Sequence, residues 1–157
     1  PDHARFPAMR RVWADSPIIG AVYELTVQSE FCAAHAIWIR GEREPVHGHN
    51  WRVTVVVSGH ELDEDGLLCD FHEVERALGD AIAPWQNRSL NDLAPFAPDG
   101  RGLNPTAEHV AREIARAVDG ATRHALAGRG GVASVSVTEA PGCVATFRIA
   151  REAGRPS

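Results

Sequence analysis

Three histidines have the spacing of a metal site. His47 and His49 are two residues apart in a segment with strand period, so their side chains lie on one face of that strand. His35 continues the apolar face of an earlier strand-like segment, and a hairpin between the two strands would bring all three imidazoles together. Neutral imidazoles suit Zn²⁺, and three protein ligands leave a fourth position open, as in catalytic zinc sites. The alternative from spacing alone is a strand entry beside a buried histidine that is satisfied by a hydrogen bond.

Four segments alternate apolar and polar residues, which predicts half-buried β-strands. The first two run from Tyr23 to His35 and from His47 to Ser58. The last two run from Val132 to Glu139 and from Cys143 to Ile149. The link between them, Ala140-Pro-Gly142, is rich in turn formers and suits a hairpin.

Two helices are predicted between the strand pairs. The first begins at Asp70, which with Glu73 has the spacing of a capping box. The second follows Asn104-Pro105, which we expect to supply the N-cap and the first turn. The apolar stripes are Val74, Leu78 and Ile82 in the first helix and Val110, Ile114, Ala117, Val118 and Ala121 in the second.

The order β-β-α-α-β-β predicts an α+β domain, a four-stranded antiparallel sheet with two helices on one face. We expect this domain to span residues 21–150, with an N-terminal extension at 1–20 and a C-terminal tail at 151–157. Such a sheet has two free edges, which favours assembly with copies of the same chain.

Composition excludes several classes of partner. A net charge of −5 over 157 residues argues against nucleic acid and against an anionic membrane surface. No apolar run approaches the ~20 residues of a membrane helix, and residues 1–18 do not resemble a signal peptide. Cys32, Cys69 and Cys143 fit no disulfide framework, and the last two are interpreted as small apolar fillers. We therefore expect a cytoplasmic protein.

Six short motifs follow one another along about residues 22–149. They are Phe31-Cys-Ala-Ala-His35, His47-Gly-His-Asn-Trp51, Gly66-Leu-Leu-Cys-Asp-Phe71, Ser89-Leu-Asn91, Asn104-Pro-Thr-Ala-Glu108 and Val137-Thr-Glu139. In this order they resemble the 6-pyruvoyltetrahydropterin synthase / 6-carboxytetrahydropterin synthase family. The resemblance implies a tunnelling fold (T-fold) and one zinc ion held by His35, His47 and His49. It also implies ring-shaped homo-oligomers, commonly hexamers, with active sites between subunits.

The resemblance also implies residues that bind a pterin substrate. Glu139 would be the anchor, because it shares an apolar strand face with Val135 and Val137, where an unpaired carboxylate is costly. The guanidine-like edge of a pterin offers it two N–H donors. A strand-end salt bridge is the alternative. Thr106 and Glu108 match the family's Pro-Thr-x-Glu motif, although helix capping explains both residues equally well.

The family's usual catalytic groups are absent at the matching positions. The usual enzymes carry a cysteine shortly before His-Gly-His, activated by an Asp-His pair before Leu-Asn. Residues 41–46 contain no cysteine, and Gln86 and Asn87 occupy the place of the pair. Glu44 is a candidate replacement base, because a carboxyl group with a pKa of about 4.3 is ionised at neutral pH without an activating histidine.

Two functions remain open on this basis. The first is a zinc-dependent lyase acting on 7,8-dihydroneopterin triphosphate, with Glu44 as the catalytic base. Its product would be 6-carboxytetrahydropterin, 6-pyruvoyltetrahydropterin or, as in a glutamate-bearing subgroup of the family, 6-hydroxymethyl-7,8-dihydropterin. In the family, the first of these products leads towards queuosine-type deazapurines and the last towards folate. The second is a zinc-containing pterin- or purine-binding protein with lost or redirected catalysis, in which Glu44 is an ordinary loop charge.

Overall fold

A computed structural model describes residues 22–96 and 102–150 of the chain. The expected extension at 1–20 and the tail at 151–157 lie outside the described residues. The strands are β1 (Tyr23–His35), β2 (Trp38–Ile39), β3 (Glu42–Arg43), β4 (His47–Gly59), β5 (Arg88–Ser89), β6 (Gly130–Ala140) and β7 (Cys143–Arg148). The helices are α1 (Phe71–Ile82) and α2 (Ala107–Leu126), with short 3₁₀ turns at Ala83–Trp85 and Leu90–Asp92.

The main sheet contains the four predicted long strands and one short addition. Its order is β5-β1-β4-β6-β7, and the long strands pair in antiparallel fashion. The two-residue strand β5 adds to the outer edge of β1 in parallel, and sequence period does not predict it because two residues carry no period. Strands β2 and β3 form a separate small hairpin between β1 and β4.

The helices cover one face of the sheet, and the core lies between the two layers. Trp51, Val53, Val55 and Val57 of β4 are fully buried, as their alternation predicts. Val74 and Leu78 of α1 and six residues of α2 meet this face. The buried α2 residues besides the terminal Leu126 are Val110, Ala111, Ile114, Ala115, Val118 and Thr122. The α+β architecture expected from the sequence is therefore confirmed.

Two details of the helices differ from the sequence prediction. Asp70 caps α1 as expected, but its carboxylate accepts the backbone N–H of His72 rather than that of Glu73. In α2, Ala117 and Ala121 are exposed, because the buried rows run from Ala111 through Ala115 and from Val110 through Ile114 and Val118.

The start of α2 is also later than predicted. Thr106 is the N-cap, and its hydroxyl accepts the backbone N–H of His109 at 3.4 Å. Asn104 does not cap the helix, because its side-chain amide is bound to the backbone of Trp38 at 3.0 and 2.9 Å. Over the described residues, no helix has both the length and the apolar character needed to cross a membrane.

Candidate metal centre

Strand register brings the three predicted histidines together at one end of the sheet. In the β1–β4 pair, His35 lies opposite His47, and His49 lies two residues further along β4 on the same face. The ring centroids are 4.7 Å apart for His35 and His47, 5.1 Å for His35 and His49, and 4.8 Å for His47 and His49. The imidazoles thus form a nearly equilateral triangle.

Backbone carbonyl groups orient two of the rings. The Nδ1 atom of His35 lies 2.8 Å from the Pro105 carbonyl oxygen, and that of His47 lies 3.0 Å from the Pro45 carbonyl oxygen. A carbonyl oxygen only accepts, so Nδ1 carries the hydrogen in both rings and Nε2 keeps its lone pair. Metal-bound histidines are commonly fixed by such a hydrogen bond from the second ring nitrogen.

Glu139 completes the cluster. Its Oε1 atom lies 3.2 Å from Nε2 of His35 and 3.1 Å from Nε2 of His49, and one ligand atom from each of the four residues lies within 4.8 Å of the others. Among the described residues, these two Nε2 atoms are the buried side-chain nitrogen or oxygen atoms that lack a hydrogen-bond partner. Unpaired buried polar atoms are costly, and a cation between them would satisfy both.

The electrostatics also suit a cation. Burial lowers the pKa of His49, with the Glu139 carboxylate opposing that shift. A lower pKa favours the neutral imidazole, which is the form that binds a metal. His35 is almost fully enclosed, whereas His47 is 41% exposed, so the cluster opens to the surface on the side of His47. Three imidazoles and one carboxylate fit Zn²⁺ by ligand type.

A cavity of about 420 Å³ adjoins the cluster at Glu139. The other two predicted substrate-binding residues, Thr106 and Glu108, line the same cavity, together with Ile37. Cys143, the first residue of β7, also lines it and is exposed, so its interpretation as an apolar filler was wrong. Cys69 is buried as expected.

Glu44 lies beside the histidines, and one of its carboxylate oxygens already accepts a hydrogen bond. Its Oε1 atom is 3.8 Å from Nδ1 of His47 and accepts the backbone N–H of Ile37 at 3.0 Å. Its own backbone N–H donates to the Ile37 carbonyl oxygen at 3.1 Å. The structure therefore places the candidate base at the open side of the cluster, with one carboxylate oxygen engaged by the backbone.

Gln86 and Asn87 form hydrogen bonds with Cys32 and not with the histidine cluster. The Gln86 side chain accepts the backbone N–H of Cys32 at 3.0 Å, and the Asn87 backbone N–H donates to the Cys32 carbonyl oxygen. Cys32 points to the sheet face opposite His35, because the two are three residues apart on one strand. Both residues thus secure the edge of β1 where β5 joins it.

Sequence reasoning missed the residues that hold the chain after His35. Asn91 binds the backbone of Ala36, Asn104 binds that of Trp38, and the Pro105 carbonyl oxygen accepts from the His35 ring. Both asparagines belong to motifs that the sequence shows, Leu-Asn and Asn-Pro. The Asn-Pro motif also matches the start of a helix, and the sequence prediction gave it that role.

The sheet, the two helices and the histidine cluster at the end of β1 and β4 together define a T-fold protein with a candidate metal centre. The chain belongs to the 6-pyruvoyl tetrahydropterin synthase family, whose sequence profile matches residues 24–150.

Individual relatives carry different activities. Over 94 residues the chain is 34% identical to the 6-carboxy-5,6,7,8-tetrahydropterin synthase of Bacillus subtilis. This match covers 59% of this chain and 62% of that protein, so the chain spans less than two thirds of that relative's length. Over 91 residues it is 31% identical to the dihydroneopterin monophosphate aldolase of Pyrococcus furiosus, covering 58% and 70%.

Solved structures agree on the fold. A Plasmodium vivax 6-pyruvoyltetrahydropterin synthase, solved with a catalytic glutamate replaced by alanine, matches with a TM-score of 0.65 and 21% identity. The match covers 82% of this chain and 99% of that one. At this identity the likeness shows a shared fold.

Proposed function

We propose that this chain is a zinc-dependent lyase of the pterin synthase type that acts on 7,8-dihydroneopterin triphosphate. The observation that carries the proposal is the convergence of three imidazoles and Glu139, with two buried Nε2 atoms that no hydrogen bond satisfies. Family membership supports a pterin as the substrate class.

The metal would be held by His35, His47 and His49. Bound zinc supplies a Lewis acid that polarises a substrate oxygen. Glu139 lies at the boundary between the cluster and the cavity of about 420 Å³, where its carboxylate can accept the paired N–H groups of a pterin ring. Thr106 and Glu108 would bind the substrate from the first turn of α2.

Glu44 would act as the catalytic base. Its Oε1 atom is held by the Ile37 N–H, which leaves Oε2 to take a proton from a side-chain hydroxyl of the substrate. The relatives support a carboxylate in this role, since a Plasmodium vivax family member has a catalytic glutamate.

One base suits cleavage of the substrate side chain better than the other two reactions. When Glu44 removes the 2′-hydroxyl proton, the C1′–C2′ bond breaks, the carbonyl forms at C2′ and the electron pair stays at C1′, which is then protonated. This gives 6-hydroxymethyl-7,8-dihydropterin and a phosphorylated glycolaldehyde. Forming 6-pyruvoyl- or 6-carboxytetrahydropterin requires several proton transfers, for which the usual cysteine and Asp-His pair are absent. The Pyrococcus furiosus relative, an aldolase, is consistent with cleavage.

The test is to incubate zinc-loaded protein with 7,8-dihydroneopterin triphosphate and identify the pterin products by mass spectrometry. We expect 6-hydroxymethyl-7,8-dihydropterin from the wild type and a loss of about 100-fold or more in Glu44→Gln, since a general base contributes about 10²–10⁴-fold. Glu42→Gln is the matched control, because Glu42 is an exposed glutamate of the neighbouring strand β3. Unchanged turnover in Glu44→Gln would remove Glu44 as the base.

The second candidate function is a zinc-containing pterin- or purine-binding protein without this chemistry. The observation in its favour is that a side-chain oxygen of Glu44 and one of Gln86 each accept a hydrogen bond from a backbone N–H group. These bonds give both residues a structural role. Tight pterin binding without any product in the same assay would select this candidate.

The assembly state is part of the proposal. We propose a homo-oligomer, a hexamer with active sites between subunits, in the cytoplasm, formed by residues 21–150. Large apolar side chains near the site are exposed in the single chain, among them Trp38 at 57% and Val144 at 57%, and a second copy would cover them. Native mass spectrometry tests this directly, and a monomer at micromolar concentration would contradict it.

A further inference from the structure

The backbone N–H and C=O groups of the three residues that follow His35 all form hydrogen bonds with residues elsewhere in the chain. Ala36 donates to Oδ1 of Asn91 and accepts from its Nδ2, both at 2.8 Å. Trp38 does the same with Asn104, at 3.0 and 2.9 Å. Between them, Ile37 donates to the Glu44 carboxylate and accepts from the Glu44 backbone N–H.

This pattern is that of a strand in which side-chain amides replace the partner strand on one side. In an extended chain, the N–H and C=O groups of successive residues point to opposite sides. Ala36 and Trp38 therefore face the two asparagines, while Ile37 faces Glu44. A side-chain amide presents one acceptor and a pair of donor hydrogens, so it can stand in for a backbone unit of a partner strand.

Asn91 is linked to the main chain of the candidate metal ligand His35, and Asn104 is linked to its ring. Asn91 holds Ala36, the residue directly after His35, and Ala36 is fully buried, so water cannot replace the amide. Asn104 precedes Pro105, whose carbonyl oxygen fixes the His35 ring at 2.8 Å. Asn91 thus holds the main chain directly after the ligand, and Asn104 lies next to the residue whose carbonyl oxygen binds the ligand's ring.

The same amides set the position of Glu44. The Glu44 carboxylate is placed by its bond to Ile37, and Ile37 is the residue between the two that the asparagines hold. A shift of Ala36 or Trp38 would move the Ile37 N–H and the carboxylate with it. A displacement of about 1 Å at a catalytic group can lower the reaction rate by about 10²-fold.

We infer that Asn91 and Asn104 are positioning residues: by holding the segment that follows His35, they set the metal ligand's ring and the candidate base. The inference deepens the proposed function and rests on it for the metal and the base. Neither asparagine touches the ligand atoms of the cluster; both act through the backbone.

The test uses cobalt(II) as a visible probe of the whole 157-residue chain. In Asn91→Ala and Asn104→Ala, we expect cobalt affinity to fall by about 10-fold or more, as is typical when support for a metal ligand is lost, and the visible spectrum to change. The Asn→Asp variants keep the side-chain shape and the acceptor for the backbone N–H, but they set a carboxylate oxygen against the backbone carbonyl oxygen, so we expect a loss of cobalt affinity in them as well. Gln28→Ala is the control, because this side-chain amide bonds to Thr54 on the polar face of the sheet.

A second readout separates positioning from general stability and from the proposed function. In metal-free protein, the Nδ1–H proton of His35 should give a slowly exchanging NMR signal in the wild type and exchange faster in both alanine variants. Where an alanine variant fails to fold, the aspartate variant is compared. If the variants melt earlier but keep the wild-type cobalt spectrum and the wild-type His35 signal, the inference is overturned. If wild-type protein binds no cobalt or zinc, the proposed function fails, and the His35 signal alone decides the positioning role.

Discussion

The Oε1 atom of Glu139 lies 3.2 Å from Nε2 of His35, although the two residues are on different strands and 104 positions apart in the chain. The family resemblance implies a pterin-binding role for Glu139 and a metal-binding role for His35. Their contact means that the proposed substrate anchor and the candidate metal centre share one boundary, so a ligand bound at Glu139 would lie directly beside the histidines.

Replacing Glu139 with glutamine separates its two possible roles. We expect Glu139→Gln to weaken pterin binding by roughly 10–100-fold, which corresponds to about 1.5–3 kcal/mol for hydrogen bonds to a charged group. Zinc content should stay near the wild-type value, because three imidazoles remain. Fluorescence titration with a pterin and metal analysis of the same sample measure both quantities. Zinc loss with pterin affinity retained would make Glu139 a metal ligand instead.

Loss of His35 should abolish metal binding. His35→Gln removes the most enclosed ligand, and we expect zinc affinity to fall by more than the roughly 10–100-fold typical of losing a residue that supports a ligand. Metal analysis after dialysis against a weak chelator is the measurement. His72→Gln is the control, since His72 is 85% exposed and pairs with Asp70 at 2.9 Å. A stoichiometric zinc content in the His35 variant would refute the assigned site.

Trp51 supports the cluster from the core. Its ring is fully buried, its centroid lies 4.8 Å from that of His35, and its Nε1–H donates to the Ala33 carbonyl oxygen at 3.1 Å. Trp51→Phe removes this hydrogen bond and part of a fully buried ring, so we expect a loss of about 1–3 kcal/mol in the free energy of unfolding. Urea denaturation measures it. Tyr23→Phe alters an exposed ring at the other end of β1 and should stay within about 0.5 kcal/mol; an equal loss in both variants would contradict this account.

Two glycines should respond in opposite directions to alanine. Gly79 is exposed within α1, and a Cβ there would meet nothing within 4 Å. Gly79→Ala should therefore stabilise the protein by about 1 kcal/mol through helix propensity. A Cβ at Gly130 would collide with the Ser58 backbone oxygen across the β4–β6 pair, so Gly130→Ala should cost about 1–3 kcal/mol. Thermal unfolding of the two variants gives the comparison, and the same sign for both would be inconsistent with these packing environments.

Local rules were sufficient for most of the fold. The two-residue period placed His47, His49 and Trp51 on one face, and burial confirms that face for Trp51 and the valines after it. The N-cap at Asp70 was also visible, because capping depends on residues only a few positions apart. The strand β5 and the start of α2 were not, since both depend on contacts with β1 and with the segment that follows it.

The amino-acid sequence by itself determined the strand faces, most of the helix stripes and the three histidines as candidate ligands, because these follow from side-chain type and a fixed period. Only the tertiary structure decided which atoms meet. The register of β1 against β4 sets the His35–His47 pair, and β6 brings Glu139 to the same point. The asparagine side chains bind a segment 55 to 66 residues away, and no local pattern encodes which of several available backbone groups an amide will bind.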